Sequence, residues 1–187
     1  MKQIRLELNS IQMLKNRERW NLYFIIATEH FEDPTKTIII IKPDDSFIPF
    51  RKKTDNFCSF RASGNNSEGM FLLEREIPTD YSVEILFTLM HSRASLRKFG
   101  ERIGEVKELL GEKDSVIENF LSASQPQVLV VKKAIGIVGK ILKNVDDRNL
   151  GVVSMSEEFD GVSTEERTNK LSSGNAEINW RWISKEI

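Results

Sequence analysis

A chain of 187 residues, 40% hydrophobic and 29% charged, is long enough for one packed domain and too apolar for a disordered segment. Its net charge of −1 gives no global drive toward nucleic acid or acidic membranes, and its single cysteine, Cys58, excludes an internal disulfide. The opening run to Leu8 alternates charged and apolar residues where a signal peptide needs a continuous apolar stretch, and no run approaches the roughly 20 apolar residues that span a bilayer. A cytoplasmic setting, or export without a conventional signal peptide, is the expectation.

Ile4, Leu6 and Leu8 alternate with Arg5 and Glu7, the pattern of a half-buried first strand, with a turn or bulge at Asn9-Ser10 before Ile11 to Leu14. Trp20 to Ala27 carries two interleaved apolar sets, so this strand belongs in mid-sheet, covered on both sides. Asp33-Pro34 turns the chain, Thr37 to Ile41 forms a short β-branched strand, and Pro43 to Ser46 closes it. Phe47 to Phe60 reads as two short strands or a long ordered loop, with Cys58 a small buried hydrophobe between Phe57 and Phe60. Met70 to Ile77 and Val83 to Leu89 are the next strands. The β pattern resumes at Leu150 to Met155, gives way to a polar surface loop from Ser156 to Ser173, and ends in a strand with Ala176, Ile178, Trp180 and Trp182 on one face.

Between Ser92 and Val145 the apolar period shifts from two to 3.6. Leu96, Phe99, Ile103, Val106 and Leu110 form one stripe; Val128, Val131, Ile135, Val138, Leu142 and Val145 form another of similar length. This predicts two antiparallel helices packed together, with a short helix capped by Asp114 between them. The segment holds ten Lys or Arg against six Asp or Glu, making it +4 and the remainder −5. All charges of the second helix are lysines: Lys132, Lys133, Lys140 and Lys143. A basic amphipathic face of this kind suits an anionic membrane surface or a partner helix.

Chemistry-bearing motifs are sparse. His30 and His91 are too few for most zinc sites and read as loop residues, and no GxSxG elbow, HExxH pair or phosphate loop occurs. Acidic residues at strand ends (Glu29, Asp33, Asp44, Asp45, Asp146 and Asp147) would hold calcium if their loops converged, since calcium accepts many oxygens in irregular geometry. No other cofactor is implied. Phe50 to Lys53 and Trp180-Arg181-Trp182 mix rings and cations, but the tryptophans share a core face with Ile178 and no large basic field accompanies them, which argues against nucleic acid.

The expected fold is mainly β: one domain, residues 1–187, built as an antiparallel two-sheet sandwich of C2-like or Ig-like form, with an inserted α-helical hairpin at 92–145. Strands outnumber the βαβ rhythm of an α/β sheet, and the topology resembles lipid-binding and adaptor sandwiches of the C2 kind. The expected function is a non-enzymatic protein-interaction or structural module, partnered by another protein or by itself, with the inserted helices or adjoining loops as contact surface. The alternative is a peripheral membrane or lipid binder, calcium-dependent if the acidic loops form a site. An enzyme ranks third and would have to assemble Glu29, His30, Asp44 and His91.

Overall fold

Alternating and doubly apolar segments become strands throughout the described chain. The computed structural model describes residues 2–15, 19–29, 37–43, 47–51, 56–61, 68–77, 82–93, 98, 101, 104–105, 116–117, 136, 139, 147–155, 157–159 and 166–186. The strands are β1 (Lys2–Met13), β2 (Arg19–Glu29), β3 (Thr37–Lys42), β4 (Ile48–Arg51), β5 (Phe57–Ser59), β6 (Met70–Glu76) and β7 (Ser82–Val83). They continue with β8 (Ile85–His91), β9 (Val116–Ile117), β10 (Arg148–Ser154), β11 (Glu157–Glu158), β12 (Glu166–Lys170) and β13 (Ala176–Glu186).

One sheet has five strands in the order β12-β13-β1-β5, with β6 also paired to β1. The other has six, β10-β8-β2-β3-β9, with β4 also paired to β2, and β11 and β7 form a small ribbon. Among the described residues every pairing is antiparallel. The two sheets share one apolar core, with Ile4, Leu6, Leu8, Trp180 and Trp182 from the first packed with Trp20, Leu22, Phe24, Phe87 and Leu89 from the second. Aligned antiparallel sheets burying their inner faces against each other make a β-sandwich.

The first and last strands pair along their whole length, with Lys2 opposite Glu186 and Met13 opposite Ala176. Asn9 is the extra residue of a bulge, because the register moves from Leu8↔Trp180 to Ser10↔Asn179. The bulge changes the phase of β1: before it the even positions Ile4, Leu6 and Leu8 face the core, after it the odd positions Ile11 and Met13 do. β2 is buried on both faces, Tyr23, Ile25 and Ala27 as fully as Leu22, Phe24 and Ile26. Its doubly apolar composition matches burial on both faces, and β8 and β3 flank it within the sheet. Of the two alternatives for Phe47 to Phe60, a long ordered loop or two short strands, the described residues form the strands β4 and β5.

The helical part of the expectation is corrected. Among the described residues every element is a strand and no helix is present. Glu101, Gly104, Glu105, Gly136 and Gly139 have helical backbone as isolated positions that make up no described element, and most of 92–145 lies outside the described residues. The short helix read at 114–121 is corrected directly: Val116 and Ile117 form β9, paired with Ile38 and Thr37 of β3. Two adjacent β-branched residues favour a strand when a sheet edge is available, and a helical period over so few residues cannot outweigh that pairing. The polar stretch 156–173, read as a loop, contains β11 and β12. Its strand β12, Glu-Arg-Thr-Asn-Lys, escapes an apolar criterion because it lies at the edge of a sheet.

The 92–145 segment leaves from the end of β8 and returns at the start of β10, neighbouring antiparallel strands in which Arg148 lies opposite His91. Among the described residues, no helix is long and apolar enough to cross a membrane.

Candidate functional site

Two polar arrangements stand out from the apolar framework, one at the base of the 92–145 segment and one on the outer face of the five-stranded sheet.

At the first, Asp147 is buried, and three of the described residues donate hydrogen bonds to its carboxylate. Tyr23 donates its hydroxyl to Oδ2 at 2.9 Å, Ser92 donates its hydroxyl to Oδ1 at 3.1 Å, and the Arg93 backbone N–H reaches Oδ1 at 3.2 Å. Ser92 is itself tied to β2 by its N–H on the Asn21 carbonyl, 2.8 Å. The cluster clasps the two ends of the inserted segment to the central strand. A carboxylate buried this way is held by its donors. Tyr23→Phe removes one of them, and thermal or urea unfolding should show a loss of about 1–2 kcal/mol with the fold retained. A loss near zero would mean the hydroxyl is not holding Asp147.

The acidic set from the sequence is placed as follows. Glu29 ends β2 and pairs with the buried Arg75 of β6 at 3.2 Å, an ion pair joining the two sheets. Tyr23, the partner of Asp147, lies six residues earlier on the same strand. At about 3.3 Å per residue, Glu29 and Asp147 therefore stand roughly 20 Å apart and are not brought together. Asp33, Asp44, Asp45 and Asp146 lie outside the described residues, as do His30 and the four lysines Lys132, Lys133, Lys140 and Lys143. Among the described residues no group of three His, Cys, Asp or Glu could hold a metal ion. His91, read as a loop residue, ends β8; its ring stands edge-on to Trp20 at 5.2 Å and its Nδ1 accepts from the Asn21 N–H at 3.2 Å. His91 faces Leu22 across the sheet, at the opposite end of β2 from Glu29.

The second arrangement was not legible as a site. On the outer face of the five-stranded sheet, Glu7 of β1 is 1% exposed although it sits at an alternating polar position. Arg181 of β13, directly opposite, donates to Glu7 Oε2 from Nε at 3.2 Å and Nη2 at 2.9 Å, and the Gly69 N–H donates to the same oxygen at 3.1 Å. Arg5 reaches Glu7 Oε1 at 3.7 Å while donating to Glu74 at 2.7 Å and Glu68 at 3.3 Å. The Glu74 hydrogen bond holds the Arg5 guanidinium above its ordinary pKa, with burial opposing and the neighbouring acids adding to it. Arg61 extends the row to Glu166 of β12 at 2.5 Å, and Asn9, Asn179 and Thr168 are linked by side-chain hydrogen bonds of 2.7 and 3.0 Å.

Two aromatic rings stand on this face. Phe71, opposite Glu7, is 44% exposed and lies under two cations, Arg5 and Lys42, each 5.6 Å from the ring centre. Phe57, opposite Gln12, is 51% exposed. Its neighbour Cys58 points the other way, half-buried against the core, and burial pushes its thiol pKa up. A raised pKa leaves little thiolate near neutrality. Iodoacetamide should therefore label Cys58 several-fold more slowly at pH 7.5 in the folded protein than in urea, the folded rate climbing as pH passes the raised pKa. Equal rates would contradict this burial.

The arrangement sets held cations, held carboxylates and two exposed rings on one face of the five-stranded sheet, with Lys42 of β3 reaching Phe71 from the other sheet. No protein-family model and no curated protein sequence matches the chain. Among solved structures, one described as the structure of Drosophila C2-DSL-EGF1 is similar, with 8% identity and a TM-score of 0.43 over 98% of this chain and 67% of that one.

Proposed function

We propose that the chain is a non-enzymatic protein-interaction module that presents the outer face of its five-stranded sheet to a protein partner. The observation that carries this reading is the exposed ring of Phe71 beside an arginine network whose side chains are already held in place, with Phe57 exposed farther along the same sheet face. Aromatic and arginine anchors are the residue types that dominate binding energy at interfaces, and prior ordering lowers the entropy lost on docking. The contact surface is thus a sheet face, in place of the inserted helices read from the sequence.

The test compares wild type with Phe57→Asp/Phe71→Asp in quantitative affinity capture, with Arg148→Glu, an exposed change on the other sheet, as control. Near-UV circular dichroism first establishes that both variants are folded. Partners retained by wild type and the control but lost from the double variant support the reading. A captured set that is unchanged by the double variant overturns it.

A further inference from the structure

The edges of the two sheets are finished differently. The outer edge of β10 is covered by the loop between β12 and β13. Ser172 donates its N–H to the Val152 carbonyl at 3.0 Å, Val152 donates its N–H to Ser172 Oγ at 3.1 Å, and Ser173 Oγ and Asn175 Nδ2 both donate to the Leu150 carbonyl, the latter at 3.1 Å. β12 ends the five-stranded sheet and, among the described residues, has a strand neighbour on one side only.

The phase of its hydrogen bonds can be read from the closing pair. The Leu171 N–H donates to the Ala176 carbonyl at 2.9 Å, so Asn169/Ile178 and Arg167/Trp180 are the pairs that exchange bonds with β13. The N–H and C=O groups of Glu166, Thr168 and Lys170 therefore point away from β13, toward the open side. The side chains of these three residues are exposed, whereas Arg167 and Asn169 turn inward. Asn169 Oδ1 accepts from Trp180 Nε1 at 3.1 Å, and Arg167 lies 5.7 Å from the Trp180 ring and pairs with Glu157 at 2.5 Å.

We propose that this edge receives the same edge of a second copy of the chain, antiparallel, about a twofold axis through Thr168. In that register Thr168 faces Thr168, and Glu166 and Lys170 each face the other's counterpart on the second copy. Every outward-pointing backbone group finds a partner, and both cross-strand charge pairs are attractive. Centring the axis instead on residue 166 or 170 sets acid against acid or base against base, so charge selects the register. Arg61 engages Glu166 through Oε1, leaving Oε2 for a lysine. The inference goes beyond the face-mediated reading above and does not depend on it.

Sedimentation velocity over a wide concentration range tests it. Wild type should show a monomer–dimer equilibrium. Lys170→Glu alone faces acid with acid and Glu166→Lys alone faces base with base, so each weakens dimerisation about tenfold or more. Mixed in equal amounts, the two single variants should form a one-to-one dimer, and the double swap should restore dimerisation. These are exposed side chains, and far-UV circular dichroism checks each fold. A wild type monomeric at every concentration overturns the proposal, as does a dimer that neither single variant weakens or that the mixture fails to restore.

Discussion

Glu7→Ala should lower the free energy of unfolding by about 3 kcal/mol, read as a lower urea midpoint with little change in slope. Few exposed-face residues would do as much. Glu7 is almost fully buried beneath the side chains that use it, and its removal takes from Arg181 the two hydrogen bonds, at 2.9 and 3.2 Å, that end on Glu7 Oε2. It also leaves the Gly69 N–H without the acceptor it uses at 3.1 Å. Arg5 suffers less, since Glu74 and Glu68 still hold it. Breaking a buried pair by deleting one partner costs more than the pair contributes, because the remaining charge stays desolvated. Glu7→Gln keeps an acceptor for Arg181 and Gly69 while losing the charge, and should cost about half as much. If alanine and glutamine cost the same, and both below about 1 kcal/mol, the network is not what holds β1 to β13 on this face.

Gly151→Ala should be comparably damaging, about 3 kcal/mol, through a different mechanism. Gly151 sits at the bulge where β10 changes register against β8, between Asn149↔Met90 and Gly151↔Leu89, with φ at 126°. An L residue is strained at that angle. A Cβ there would also lie 2.8 Å from Ser173 Oγ and 2.9 Å from Leu171 Cβ, in the loop that covers the edge of β10. Gly174 in the same loop is a built-in control. Its φ is 65°, and an added Cβ would meet only Lys170 Cε, at 3.7 Å. Gly174→Ala should therefore cost about 1 kcal/mol, the left-handed backbone penalty without the clash. Equal midpoints for the two variants would show that contact with the loop is not what requires glycine at 151.

The distribution of apolar residues carried much of this fold into view. Alternation placed Ile4, Leu6, Leu8, Ile178, Trp180 and Trp182 on a core face, and the doubly apolar run of β2 marked the centre of a sheet. The candidate surface was less visible. Nothing around Glu7 distinguishes it from Arg5 or any other polar alternate, and nothing local tells that Phe71 faces out while Leu73 faces in. That choice follows from the bulge in the β1–β6 pairing, where the register steps between Leu6↔Leu73 and Glu7↔Phe71. At 116–117 and 166–170 the local pattern misled, because a short or polar strand is recognised by the edge it joins.

Period and composition act between residues a few positions apart, and so they were sufficient for strand type, for the inward faces of β1 and β13, for the double burial of β2, and for the exclusion of an internal disulfide. What gives the candidate surface its character joins residues distant in the chain, Glu7 with Arg181 and Arg61 with Glu166, and so do the contacts that tie the framework together, Tyr23 with Asp147 and the loop at Ser173 with β10. A buried charge is stable only where a partner and donors surround it, and only the pairing of the sheets decides which partners arrive.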